Sequence, residues 1–129
     1  MEVTGLDAKE FVSWSKLARN VHFIQQDLIQ LSEENHYDFS LCIDVLEHIP
    51  GNKLVLEKIY RSLEPGGYFC RHMPDDKYSR RIFSKKFFKE FEKWVEDEHI
   101  GPQYTFKEMK NVFRSTEFAI IQAHNTFGY

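Results

Sequence analysis

No apolar run in this sequence approaches the roughly 20 residues that a membrane-spanning helix needs, and the opening MEVTGLDAKE has neither the basic nor the apolar region of a secretion signal. No membrane span is expected, and the chain reads as cytoplasmic. Cysteine is scarce: Cys42 and Cys70 sit in separate apolar runs without metal-ligand spacing. That argues against a disulfide scaffold or a zinc site, and for buried free thiols in a reducing compartment. An excess of positive charge is missing as well. The formal net charge is −3, so bulk charge points to no nucleic-acid partner. The histidines are scattered, and no Ser-His-Asp arrangement for nucleophilic catalysis stands out. Internal repeats and low-complexity segments are absent.

What is present fits one soluble domain. A chain of 129 residues can build one core but not two. Twelve Phe, six Tyr and two Trp are many for this length, and imply either an aromatic core or rings held back for a pocket. EVTGLD reads as a strand, and residues 8–19 as an amphipathic helix, with Phe11, Trp14, Leu17 and Ala18 at helical spacing. NVHFIQQDL is a second strand, and DLIQLSEENH leaves room for a short helix. FSLCIDV is a third strand, apolar enough to be covered on both faces. Residues 54–63 carry a helical stripe that EPGG ends, with Pro65 and Gly66 at the centre of a type II turn. YFCRHM is a fourth strand. A helix over 79–97 follows, with Phe83, Phe87, Phe91, Trp94 and Val95 on one face and lysines mostly on the other. TFKEMKNVFRST is a further helix with Thr105 and Glu108 at capping-box spacing. FAIIQAHNTF is a final strand. Strand–helix alternation of this kind predicts an α/β fold with a mostly parallel sheet and covering helices.

Three acids, Asp7, Asp27 and Asp44, fall at or just past the carboxyl ends of successive strands. Ligands of open parallel sheets bind outside those ends. Asp7 is placed to accept the hydroxyls of a ribose; Asp27 is either an acceptor for an exocyclic amino group or a solvated turn residue. The string DVLEH adds Glu47 and His48 within five positions of Asp44. His48 is a candidate general base, because imidazole titrates near neutral pH; its competing role is to brace a neighbouring loop.

VTGLDA, VHFIQQDL, YDFSLCIDVLEHI and LEKIYRSLEPGGYF together resemble class I S-adenosylmethionine-dependent methyltransferases. DVLEHI joined to SLEPGGYF at this distance is the specific pair. The resemblance implies a Rossmann-like sheet and S-adenosylmethionine as cofactor. Carried over by position, it implies cofactor contacts at Asp7 and Ala8 beside the ribose, Asp27 and Leu28 beside the adenine, and Asp44 and Val45 beside the methionine part. In some O-methyltransferases of this family an acid-x-x-Glu-His string binds a divalent metal, and Asp44, Glu47 and His48 have that form; the metal is a secondary expectation. The resemblance also divides residues 1–129 into a core over 1–74, a lid-like helical insertion over about 75–100, and a closing helix and strand over 101–129. In the insertion, Tyr78, Phe83 and Phe87 are candidate contacts for a small-molecule acceptor, and the basic face suits an anionic one.

One departure matters. The family's first strand and its glycine-rich turn, of the form acidic-x-G-x-G-x-G, do not precede EVTGLD. The expectation is an incomplete fold, truncated at its front, with weak or no activity as this chain. Unpaired inner edges must then be re-paired directly, joined by a second copy in a homodimer, or completed by a partner chain. The alternative is a non-catalytic methyltransferase-like binding or scaffold protein acting through such a partner. A nicotinamide-dependent oxidoreductase fits less well, for want of the G-x-G-x-x-G turn.

Overall fold

The computed structural model describes residues 1–9, 19–73 and 104–124. Most of the helix predicted over 8–19, the helix over 79–97 with its lid-like insertion, and the end of the final strand lie outside the described residues. So do Tyr78, Phe83 and Phe87. The four predicted strands of the front half are all present. β1 (Val3–Asp7) runs parallel to β2 (Val21–Gln25), with Val3 beside Val21 and Asp7 beside Gln25. β3 (Tyr37–Ile43) runs parallel to β4 (Leu63–His72), and α1 (Asn52–Ser62) forms the crossover that a parallel pair requires. DLIQLSEENH supplies a single 3-10 turn, Leu28–Gln30.

Among the described residues these are two separate two-stranded sheets. Direct re-pairing of EVTGL with FSLCI, one of the expected ways to close the gap, does not occur. The pairs nonetheless touch. Leu6 and Leu28 pack on the core built around β3. Burial raises the pKa of the Tyr37 phenol, with Glu33 adding to the rise, while a side-chain hydrogen bond with Thr4 of β1 opposes it.

The core forms because α1 has one apolar stripe. Val55, Leu56 and Ile59 are buried from that face and meet Leu31, Cys42, Leu46 and Leu63. The Ser62 hydroxyl donates to the Ile59 carbonyl at 2.8 Å, so the last turn buries a polar group without orphaning it. α2 (Phe106–Arg114) begins with the capping box its sequence predicts. Thr105 N–H donates to Glu108 Oε2 at 2.8 Å, and Glu108 N–H to Thr105 Oγ1 at 3.4 Å. Aromatic residues then join the layers. Phe69 of β4 lies 6.0 Å from Phe113 and 5.3 Å from Phe118, and Phe118 meets Tyr60 of α1 edge-on at 5.2 Å. Part of the aromatic excess is thus structural.

Four details differ from the sequence reading. Among the described residues β3 is covered on one face: Phe39, Leu41 and Ile43 are half-exposed, as is Tyr68 beside them on β4. Its apolar pattern suits two covered faces, but α1 and α2 both pack on the side of Cys42 and Phe69. Cys70, on the open face, is exposed instead of buried, and both thiols are free. β4 starts at Leu63, not at Tyr68. Its ladder pairs Tyr37 with Leu63 and next Phe39 with Tyr68, so residues 64–67 bulge between them. Gly66 takes φ +85° there, the left-handed value that the third residue of a type II turn needs. Finally, residues 118–124 form no strand. Among the described residues no neighbouring strand offers them a ladder, and β propensity without a partner does not make a sheet.

Two tests follow from this packing. Leu56→Ala is expected to lose roughly 2–5 kcal/mol in urea unfolding, because it opens a cavity at a fully buried position; Thr105→Ala removes one cap and should cost only about 1 kcal/mol. Burial pushes the Cys42 thiol up to about 11, from an ordinary value of 9.0. At pH 8 iodoacetamide should therefore label Cys70 quickly and Cys42 only after unfolding. Because folding raises this pKa, its contribution to stability is complete below about pH 9 and fades as pH rises toward about 11.

Candidate functional site at the carboxyl ends of the strands

Each predicted acid stands at the carboxyl end of its strand, and each uses one oxygen to fix the turn that follows or a neighbour beside it. Asp7, the last residue of β1, accepts from Lys9 N–H at 2.8 Å. Asp27 caps the 3-10 turn, accepting from Ile29 N–H at 3.0 Å. Both are exposed, and in each the second carboxylate oxygen makes no hydrogen bond among the described residues. These two ends are held together: Gln26 N–H donates to the Asp7 carbonyl at 2.8 Å. Gln25 Nε2 donates to the Ala8 carbonyl at 3.2 Å. Leu28 is half-buried against the core. Asp7, Ala8, Asp27 and Leu28 thus form one compact edge.

Asp44 and Val45 belong to the other pair of strands. Asp44 follows β3 with φ +48°, a left-handed conformation that residues with a side chain seldom adopt. Its N–H donates to the His72 carbonyl at 3.2 Å, and its Oδ1 meets His72 Nδ1 at 3.0 Å. Val45 precedes a second 3-10 turn, Leu46–His48, and packs half-buried on the core. His48 is half-buried on that turn.

The DVLEH string is pulled apart by the fold. Asp44 turns toward His72, while Glu47 goes inward and is 3% exposed. Among the described residues no group of three or more His, Cys, Asp or Glu side chains is gathered as a metal site. Glu47 enters a buried polar cluster instead. Among the described residues neither of its carboxylate oxygens, nor Asn52 Nδ2, nor Arg71 Nε and Nη2, has a hydrogen-bond partner. Arg71 reaches Met109 Sδ through Nη1, and Tyr104 donates to Asn52 Oδ1 at 3.2 Å. Burial lowers the pKa of Arg71, with Cys42 and Glu47 opposing that shift. Burying these polar atoms has a cost, which the attraction between Glu47 and Arg71 offsets in part.

Sequence reasoning missed His72. YFCRHM reads as an ordinary strand with a polar end, and only the register that sets Ile43 against His72 brings the imidazole to Asp44. His72 and Met73 lie at one end of an open groove of about 1530 Å³ that follows β4. Phe69, Phe113, Met109 and Tyr104 line its helical side, and residues 118–124 its far wall.

The comparisons agree with this architecture. A family model described as a methyltransferase domain matches residues 3–118. A phosphoethanolamine N-methyltransferase 2 of Caenorhabditis elegans is 23% identical over 125 residues, covering 92% of this chain and 25% of that protein. Among solved structures, the 1,6-didemethyltoxoflavin-N1-methyltransferase of Burkholderia thailandensis, with bound 1,6-didemethyltoxoflavin and S-adenosylhomocysteine, aligns with a TM-score of 0.65 at 20% identity. That alignment covers 88% of this chain and 49% of the other. The YcgJ protein of Bacillus subtilis aligns with a TM-score of 0.65 at 18% identity, covering 88% and 51%. The chain therefore spans about half the length of these solved structures and a quarter of the curated relative. No described helix is long and apolar enough to cross a membrane. With parallel strands, carboxylates at their carboxyl ends and a family match over residues 3–118, the chain belongs to the class I S-adenosylmethionine-dependent methyltransferase family and carries part of its Rossmann-like fold.

Proposed function

We propose that this chain is the methyl-transfer portion of an S-adenosylmethionine-dependent enzyme acting on a small-molecule acceptor. The carrying observation is the edge at the carboxyl ends of β1 and β2, where Asp7 and Asp27 each leave one carboxylate oxygen without a hydrogen bond among the described residues. These residues fit the adenosine half of the cofactor. Asp7 would accept the ribose hydroxyls, Ala8 would flank them, and Asp27 with Leu28 would border the adenine. Asp44 and Val45 would pass the methionine part. When bound, S-adenosylmethionine supplies a methyl group on an already activated sulfonium leaving group. The chain's own contribution is then to hold the acceptor in line and to take its proton. His48 is the sequence's nominee for that proton. The curated relative acts on phosphoethanolamine by its name, which makes ethanolamine phosphate the first acceptor to try.

The chain lacks the glycine-rich turn, and its two pairs of strands are not joined among the described residues. We therefore expect weak cofactor binding. Isothermal titration calorimetry with S-adenosylhomocysteine should show micromolar binding that weakens roughly tenfold or more in Asp7→Ala, since a charge-assisted hydrogen bond is worth about 1.5–3 kcal/mol. Absence of binding to the folded chain would reject activity for this chain.

The second reading is a methyltransferase-like scaffold completed by a partner strand. The separation of the described strands into two sheets favours it, because a further strand could pair along their edges. Size-exclusion chromatography with light scattering should then report a homodimer, or a stable complex with the partner chain. A monomer at high concentration would count against self-association.

A further inference from the structure

We infer that His72, oriented by Asp44, is the group that takes the acceptor's proton. The assignment rests on the methyl-transfer reading above and names a residue that the sequence motifs did not. A carboxylate only accepts hydrogen bonds, so the contact between Asp44 Oδ1 and His72 Nδ1, 3.0 Å long, places a proton on Nδ1. The neutral imidazole then presents its lone pair at Nε2, on the far side of the ring from Asp44. Nε2 has no partner among the described residues.

Three further observations favour a functional pair over a surface contact. Both residues follow or end strands on the carboxyl side of the β3–β4 pair, where open parallel sheets bind ligands. His72 also lines the end of the large groove along β4, so an acceptor lying there would meet the imidazole. The third observation is the double link: Asp44, at φ +48°, meets His72 through both its N–H and its Oδ1, so the two residues are joined at two points. The chain carries its own comparison. His22 pairs with Glu2 at 3.2 Å across β1 and β2, but at the opposite, amino ends of those strands, where both side chains are mostly exposed. The side chains of His72 and Asp44 are 43% and 48% exposed, enough for access yet partly shielded from water. The other charged groups near this end, Glu47 and Arg71, are turned inward and form no hydrogen bond to the pair.

The acceptor's nitrogen or oxygen lone pair forms a bond to the methyl carbon as the carbon–sulfur bond breaks. That bond's electron pair stays on sulfur, leaving a neutral thioether. The acceptor's N–H or O–H proton passes to His72 Nε2. The resulting imidazolium is stabilised by Asp44 and later returns the proton to solvent. Asp44 is a positioning residue in this scheme: it fixes the tautomer and does not take the proton.

The test uses the full chain and the variants His72→Gln, Asp44→Asn, His48→Gln and His22→Gln, each checked for folding by circular dichroism. Nitrogen-15 NMR of the imidazoles comes first and needs no acceptor. The expected result is His72 protonated on Nδ1 when neutral, with that preference weakened in Asp44→Asn, whose amide can also donate. A His72 protonated on Nε2 would overturn the assignment. Affinity for S-adenosylhomocysteine and methyl transfer to ethanolamine phosphate are then measured across pH. His72→Gln should keep the affinity within about twofold, lose roughly 100-fold or more in rate, and lose the rise of rate with pH that a titrating base imposes. His22→Gln should match the parent. Unchanged rate in His72→Gln, or loss confined to His48→Gln, would overturn the assignment while leaving methyl transfer intact. Failure of S-adenosylhomocysteine to bind would reject the methyl-transfer reading, and the base assignment with it. If the ligand binds but ethanolamine phosphate is not methylated, the tautomer result alone decides.

Discussion

The burial of one helical stripe against one parallel strand pair supports most of what is described here. Val55, Leu56 and Ile59 of α1 pack on the β3 side of Cys42 and on Leu46, the first residue of the turn after that strand. This contact sets the crossover, and the crossover makes β3 and β4 parallel. Parallel strands in turn bring their carboxyl ends to the same side, which is why Asp44 and His72 meet. An antiparallel pair would have put those residues at opposite ends of the sheet. The chemistry proposed for the site is thus a consequence of hydrophobic packing some residues away.

The same packing leaves the fold incomplete among the described residues. Only one face of the β3–β4 pair is covered, and its other face shows Phe39, Leu41, Ile43 and Tyr68 to solvent. β1 and β2 pair with each other, touch the core through Leu6 and Leu28, and share no ladder with β3. A sequence of this apolar content along β3 suits a strand buried on both sides. That composition and the exposure observed among the described residues do not match, and the chain spans about half the length of the solved structures it resembles.

Polar groups divide into two kinds. Asp7, Asp27 and Asp44 are exposed, and among the described residues each carboxylate makes one side-chain hydrogen bond. Glu47, Asn52 and Arg71 are buried with several atoms unpartnered. The first kind is cheap to maintain and open to a ligand. The second is costly and lies beneath the surface, so it bears on how the interior is held and not on direct contact with a substrate. DVLEH reads as one motif, yet its Asp and its Glu end up in different kinds of environment.

Local pattern was enough to give the element types. Residue spacing determined the four front strands, the stripe of α1, the capping box of α2 and the type II turn at Gly66, because each depends on neighbours within a few positions. The acids at strand ends were legible for the same reason: a change from apolar to charged marks where a strand stops. What depended on distant partners was not legible. The exposure of Cys70 and of β3's open face depends on which layers pack there. Residues 118–124 have strand composition and no strand beside them among the described residues. The inward turn of Glu47 and the pairing of His72 with Asp44 are set by register, and register is fixed only when α1 buries its stripe. Sequence alone determined where the four front strands, α1 and α2 form; the tertiary structure decided which side chains meet, because that rests on burial shared between segments far apart in the chain.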